Sequence, residues 1–300
     1  MPKQSVLKKP PHESRRRHVG RRFKNAGPGT YVLLVFVVLL SVFPLYWSFV
    51  AASRSQYEIA NYPPSVLPGG MLWSHLKTLF VPANGFDSHL KAGLINSTIV
   101  SSIITFCTVF FCSLAGFAFA KLPFRGNKVL MVTVIATLAV PPQIGLIPLY
   151  IEMIHFHWLY SLKAVTIPFL VSAFGVFLMR QYIATGVPNE LIDAARVDGC
   201  HTARVFWHVV LPAVRPIAAV LGLLTFMNAW NDYLWPVTVL QPTKNPTVQV
   251  AVASVAGTAY IPDISLQLAA VFVSIIPLFV IFILLGRQIV GGIMQGAVKG

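Results

Sequence analysis

The chain has 300 residues, 56% of them hydrophobic and only 11% charged, with a mean hydropathy of +0.70. Soluble chains carry roughly 25% charged residues, so this composition excludes a water-bathed globule and puts most of the chain in lipid. The net charge of +14 does not point to nucleic acid: the basic residues gather at the ends of apolar runs, and no Gly-rich or aromatic-interleaved basic surface occurs.

Residues 1–29 hold nine Lys or Arg against one acid, Glu13, and read as a flexible basic cytoplasmic tail that attracts lipid headgroups. The apolar run 30–52 matches a membrane span and exceeds a signal-peptide core, which predicts an uncleaved anchor. Residues 53–92 read as an external loop. In it NYPPSVLPGG is rich in turn formers, and MLWSHLKTLF predicts a short interfacial helix with Trp73 at headgroup level. The sequon Asn96-Ser97-Thr98 at the mouth of the next span reads as accidental.

The second span, 93–120, carries Ser101, Ser102, Ser113, Ala115, Gly116 and Ala118, small residues suited to close helix contact. The third, 129–150, is interrupted by Pro141-Pro142, which must bend or unwind it; a simple kink and an opening onto a solute path are both compatible. His155 and His157 stand two residues apart and do not share a helix face, so no metal site is expected. Cys107, Cys112 and Cys200 have no C-x-x-C spacing, which supports neither a disulfide framework nor a zinc site. The fourth span, 163–182, ends near Arg180.

Segment 188–212 is the long polar stretch between spans. Leu191, Ala194, Ala195 and Val197 predict one amphipathic helix, and Ala203, Val205, Phe206 and Val209 a second. Gly199 falls where a left-handed residue would turn the chain; Thr202 is the expected cap of the second helix, and Pro212 its stop. Such a compact pair between two spans is a handle for something outside the membrane, or else a hairpin lying on its surface.

That segment resembles the cytoplasmic loop of ABC importer permeases, which runs E-A-A-x-x-D-G-A, five variable residues, F, then an apolar stretch ending L-P. Asp193, Ala194, Ala195, Asp198, Gly199, Cys200, Phe206, Leu211 and Pro212 stand in that register, with Asp193 in place of Glu and Cys200 in place of Ala. The resemblance implies that the loop, with its basic Arg196 and Arg204, docks into a groove on a separate ATPase subunit and passes on its motion.

The fifth span, 213–235, closes with FMNAWNDYLWP, and the sixth covers 267–289. Asp232, flanked by Trp230, Asn231 and Tyr233, is the acid nearest a span interior and a functional candidate by default. Hydrogen-bonding groups beside flat rings suit a sugar; an aromatic belt at the outer interface, with Asp232 in water, fits equally. Phe226 and Asn228 lie one or two turns deeper as further pathway candidates. Six spans with an inside N-terminus place 18 of the 23 basic residues in the cytoplasm, with both termini. No phosphate loop, nucleophile elbow or zinc-binding H-E-x-x-H occurs, so no cofactor and no catalytic residue is assigned to this chain.

The W-N-D-x-L-W-P string and the ending Gly296-Ala297-Val298-Lys299-Gly300 are similar to those of carbohydrate importer permeases of the maltose type, and the GIMQGAVKG variant to those for cellobiose and other β-linked disaccharides. The resemblance covers residues 30–300. It implies an all-α integral membrane protein with six transmembrane helices, the type I ABC importer permease core, in the cell membrane. It further implies a heterodimer with a second permease, an ATPase dimer that binds ATP and Mg, and an extracellular solute-binding lipoprotein or periplasmic protein. The tail 296–300 would then reach the ATPase interface, the alternative being a disordered end. An ion-coupled secondary transporter of a small polar solute is the other function the residues allow; it would need internal repeats and its own ion site.

Overall fold

The computed structural model describes residues 27–63, 65–83, 86–257 and 263–297, with no side chain beyond Leu284. Its regular elements there are all helices, besides one isolated bridge between Ala83 and Phe86. The chain divides into two compact units at Pro44. In the first, residues 28–44 are the leading part of α1 (Pro28–Ala52), and the large side chains from Tyr31 to Phe43 are exposed. A surface apolar on every side suits hydrocarbon as its solvent.

The second unit opens with the last turns of α1, where Val50, Ala51 and Ala52 are buried. Two short helices follow, α2 (Gln56–Ala60) and α3 (Leu72–Phe80). Ser55 and Glu58 form a reciprocal capping box at α2: the Ser55 amide donates to the Glu58 carboxylate at 2.9 Å, and the Glu58 amide to the Ser55 hydroxyl at 3.4 Å. These bonds from Ser55, helped by Arg54, hold the Glu58 carboxyl below its ordinary range. The helix expected over MLWSHLKTLF is α3, with His75 and Leu79 turned inward and Trp73 exposed.

Helix α4 (Leu90–Lys121) is the central strut. The sequon residues lie within it and tie it to the chain near 246–248: the Asn96 amide group donates to the Pro246 carbonyl at 2.9 Å, and the Val248 amide to the Ser97 hydroxyl at 2.8 Å. Next come α5 (Asn127–Thr137) and α6 (Leu146–His155), joined through a 3₁₀ turn at Pro142–Gly145 and bent by 92°. The Pro141-Pro142 pair, which cannot donate amides, sits at that bend.

Run 162–186 contains a break that hydropathy did not reveal. It consists of α7 (Leu162–Thr166), a 3₁₀ turn at Ile167–Phe169 and α8 (Ala173–Gly186). Helix α4 supplies partners at the break: the Thr108 hydroxyl lies 3.4 and 3.3 Å from the Phe169 and Leu170 carbonyls, and the Cys112 thiol donates to the Ser172 carbonyl at 3.5 Å. Interrupted backbone at membrane depth persists only when protein groups or water cover it. Ser172 caps α8, its hydroxyl accepting from the Gly175 amide at 2.9 Å.

A helical string follows: α9 (Asn189–Val197), α10 (Thr202–Val205), a π-helical turn at Phe206–Val210, α11 (Leu211–Ala213) and α12 (Arg215–Asn231). The unit ends with α13 (Leu234–Val239), α14 (Val248–Gly257) and α15 (Ile264–Ala297). Helix α4 packs against α8, α12 and α14, and α15 against α12 and α14. At the α4–α8 crossing, a Cβ on Gly116 would stand 2.7 Å from the Met179 Cβ and 2.8 Å from the Arg180 nitrogen, so the backbones meet only because that residue is glycine. Among the described residues four helical runs are long and apolar enough to cross a membrane, or up to six if the bent pairs 127–155 and 202–231 each count as one span.

Candidate functional site

The polar segment after α8 is built as a hairpin of short helices. Two bonds close α9: the Gly199 amide donates to the Arg196 carbonyl at 3.0 Å and the Cys200 amide to the Ala195 carbonyl at 2.9 Å. Gly199 has φ +79°, the left-handed turn its position predicted. The apolar stripe differs from the expected one. Ile192 is the buried residue of α9 and Ala195 is half-buried, whereas Leu191 and Ala194 are exposed and Val197 is 88% exposed. Ile192 reaches the core because it leads Ala195 by one helical turn. Leu191 and Val197 are left exposed beside Glu190 and Asp198.

Two further expectations are corrected. His201, not Thr202, precedes α10 as its cap, with its ring nitrogen 3.4 Å from the Arg204 amide; Thr202 is already the first helical residue. Nor does Pro212 stop the second helix. The turn at Phe206–Val210 is wide, with the Leu211 amide donating back to Phe206, and α11 continues through Pro212 to Ala213. A wide turn before a proline absorbs the donor the ring lacks. The chain then bends by 78° at Val214 into α12.

The loop residues singled out in the sequence fall into two groups, with Leu211 partly buried against the core. Phe206 is buried among Phe117 and Phe110, with ring centroids 6.0 and 6.5 Å apart, and Cys200 and Ala195 pack against the same core. These are anchors. Asp193, Ala194, Arg196, Asp198, Gly199, Arg204 and Pro212 are exposed. Asp193 and Arg196 approach to 3.8 Å across one turn of α9, an exposed pair of small energetic weight. The Lys121 ammonium donates to the Asn189 side chain at 2.7 Å, tying the end of α4 to the start of α9.

A cavity of about 830 Å³ lies at the far end of α12. Thr225, Asn228, Asn231 and Asp232 line it, and Thr108 and Gln143 add polar groups from α4 and the Pro142 turn. Phe169, Phe174 and Met227 supply apolar wall. Sequence reasoning missed Gln143, Thr108 and Thr225; the proline pair beside Gln143 was the available signal. Asp232 ends α12, and one carboxylate oxygen accepts from the Trp235 amide at 3.4 Å.

The other residues singled out near Asp232 do not join it. Trp230 is fully buried and donates its indole N–H to the Ser274 carbonyl at 3.1 Å, with Phe226 stacked on it at 5.5 Å. Both belong to the α12–α15 core. Tyr233 is half-exposed and not part of the cavity lining. The opposite face of α12, through Ala218, Ala219, Gly222 and Phe226, borders an apolar groove of about 530 Å³. Among the described residues no group of three His, Cys, Asp or Glu could hold a metal ion. Val298, Lys299 and Gly300, and the side chain of Ala297, lie outside the described residues, as do residues 1–26, and with them the contact expected for the tail 296–300.

Against known proteins, residues 109–293 match the family described as binding-protein-dependent transport system inner membrane component. The chain is 30% identical over 267 residues to the arabinooligosaccharides transport system permease protein AraQ of Halalkalibacterium halodurans, covering 88% of this chain and 94% of that one. It is equally identical, over the same length, to the sn-glycerol-3-phosphate transport system permease protein UgpE of Yersinia pestis bv. Antiqua, covering 88% and 95%. Among solved structures it resembles a chain of a bacterial ABC transporter involved in the import of the acidic polysaccharide alginate, with TM-score 0.72 at 20% identity over 86% of this chain and 94% of that one. The chain belongs to the family of binding-protein-dependent transport system inner membrane components, and is a multi-pass membrane permease with the ABC importer fold.

Proposed function

We propose that this permease forms half of the path of an ATP-driven sugar importer and takes its power stroke through segment 188–214. One observation carries the reading: the exposed hairpin runs through Val214 into α12, and α12 itself lines the polar cavity with Thr225, Asn228 and Asn231. A push on the hairpin is therefore a push on a wall of the cavity. Leu191, Ala194 and Val197 offer the apolar contact, Asp193, Arg196, Asp198 and Arg204 the polar rim, and buried Phe206 the rigid anchor that transmits force. Closure of a partner ATPase dimer around ATP and Mg would shift the hairpin and tilt α12 against α4 and α15.

Sugar as solute follows the arabinooligosaccharide relative and the cavity's mixture of neutral hydrogen-bonding groups with Phe169 and Phe174. The cellobiose-like ending adds only a hint toward disaccharides. A second permease completes the path, an external solute-binding protein delivers the sugar, and the excess of Lys and Arg on one side of the spans sets both termini in the cytoplasm.

The test is co-purification of the full chain from native membranes, comparing wild type with a Leu191→Asp, Val197→Asp double variant. Both side chains are exposed, so the fold tolerates the change. An ATPase and a second permease should accompany the wild type, and the ATPase should be lost from the variant. A wild-type chain that emerges alone and transports in liposomes without ATP would mark a carrier and end this reading.

A further inference from the structure

We propose that Asp232 makes the cavity beside α12 selective against anions, so that the solute it passes is uncharged or cationic; this rests on the reading of that cavity as the solute path. The polar lining is otherwise neutral: Thr108, Gln143, Thr225, Asn228 and Asn231 can donate and accept hydrogen bonds but carry no charge. Asp232 is the one formal charge, and among the described residues no Lys, Arg or His lines the cavity and no ion pair neutralises the carboxylate.

Helix ends of both signs border the cavity, so the full charge of Asp232 decides its field. Helix α12 ends at Asn231, so its C-terminal carbonyls, the negative end of the helix dipole, face the site. The first turn of α8 also borders it through Ser172 and Phe174; its Gly175 amide is taken by the Ser172 hydroxyl at 2.9 Å, which leaves the Ala173 and Phe174 amides as a weak positive end beside the carboxylate. A phosphate or carboxylate on the solute would find no guanidinium or ammonium in this lining to replace its lost water. It would meet instead a carboxylate across a partly desolvated space, where like charges repel far more than in bulk water. Neutral hydroxyls lose nothing from that field.

The carboxylate also accepts from the Trp235 amide in the first turn of α13 at 3.4 Å, so the test separates charge from structure. In a full-length chain with Cys107, Cys112 and Cys200 replaced by Ala, Asn228→Cys places one thiol in the cavity, on the face of α12 that leads to Asp232. Permeabilised native membranes are then labelled with three methanethiosulfonates: a neutral methyl, a cationic trimethylammonium-ethyl and an anionic sulfonatoethyl reagent. Rates are normalised to those with a free thiol. With Asp232 present, the cationic reagent should react on the order of tenfold faster than the anionic one. Asp232→Asn keeps an oxygen to accept from the Trp235 amide, and should bring the normalised ratio to about one. A ratio that stays the same in both backgrounds, with the neutral reagent labelling freely, overturns the anion filter but leaves the path intact. A thiol that even the neutral reagent cannot reach shows a closed cavity, and overturns the path reading and the filter with it.

Discussion

The Cys200 amide donates to the Ala195 carbonyl at 2.9 Å across Gly199, whose φ is +79°. That bond closes the four-residue turn between α9 and α10, in which Gly199 is the left-handed residue. A Cβ at Gly199 would meet nothing within 4 Å, so substitution there is a purely conformational matter. Gly199→Ala should weaken the turn by about 1–2 kcal/mol, and Gly199→Val by more. Gly199→Asn should retain most of the function, because Asn tolerates the left-handed region. ATP-driven uptake across the three variants should rank Asn above Ala above Val. Equal uptake in all three would show that the hairpin geometry does not govern coupling.

Gly116 faces the opposite constraint, since its backbone angles are ordinary and its space is not. A methyl group there would stand 2.7 Å from the Met179 Cβ. Gly116→Ala should force α4 and α8 apart and lower stability by about 1–3 kcal/mol. Gly222→Ala on α12, where the nearest atom would be 3.5 Å away, should be close to neutral. Thermal denaturation of the purified variants measures both.

Trp230 and Asn228 lie half a turn apart on α12 and should fail in different assays. Trp230→Ala opens a void in the α12–α15 core and leaves the Ser274 carbonyl without its donor. A loss of about 3–5 kcal/mol of stability is expected. Asn228→Ala, exposed and facing the cavity, should leave the melting temperature unchanged while lowering uptake. The reverse pattern would place the path on the other side of α12.

The capping box of α2 carries a pH signature. Bonds from Ser55 hold the Glu58 carboxyl below its unfolded value. Stability from that group is therefore fully present above the ordinary carboxylate pKa and is lost as the pH falls through the lower, folded value. Between neutral pH and the acid limb, wild type should lose more thermal stability than Glu58→Gln. Parallel curves for the two proteins would remove the capping box from the pH response.

Hydropathy and charge made the membrane runs legible, and single residues made two turns legible: Pro141-Pro142 for the bend between α5 and α6, and Gly199 for the hairpin. Other features were hidden for physical reasons. The break at Leu170–Ser172 depends on Thr108 and Cys112, some sixty residues earlier in the chain. The sequence shows the residues on both sides but not that they meet. Helix α14 escaped notice because Val248, Val250 and Val252 alternate as in a strand and mask the helical i, i+3, i+4, i+7 set of Val248, Ala251, Val252 and Val255 that is buried. On α9, Leu191 and Ile192 are equally apolar, and only the packing decides which turns inward. The cavity was half visible: Asn228, Asn231 and Asp232 carried a chemical signal, while Trp230 carried the same signal and belongs to the core.

Because α12 separates a polar chamber from a greasy groove, it is keyed against spinning. One residue of axial rotation is about 100°. Such a turn would sweep Asn228 and Asn231 toward the groove lined by Gly222 and Phe226, stranding their amides away from hydrogen-bond partners. Tilting and sliding along the axis keep each face against its own neighbour. A stroke of the kind proposed would therefore make this helix a rocker rather than a rotor, its rotational setting held by one wet face and one dry face.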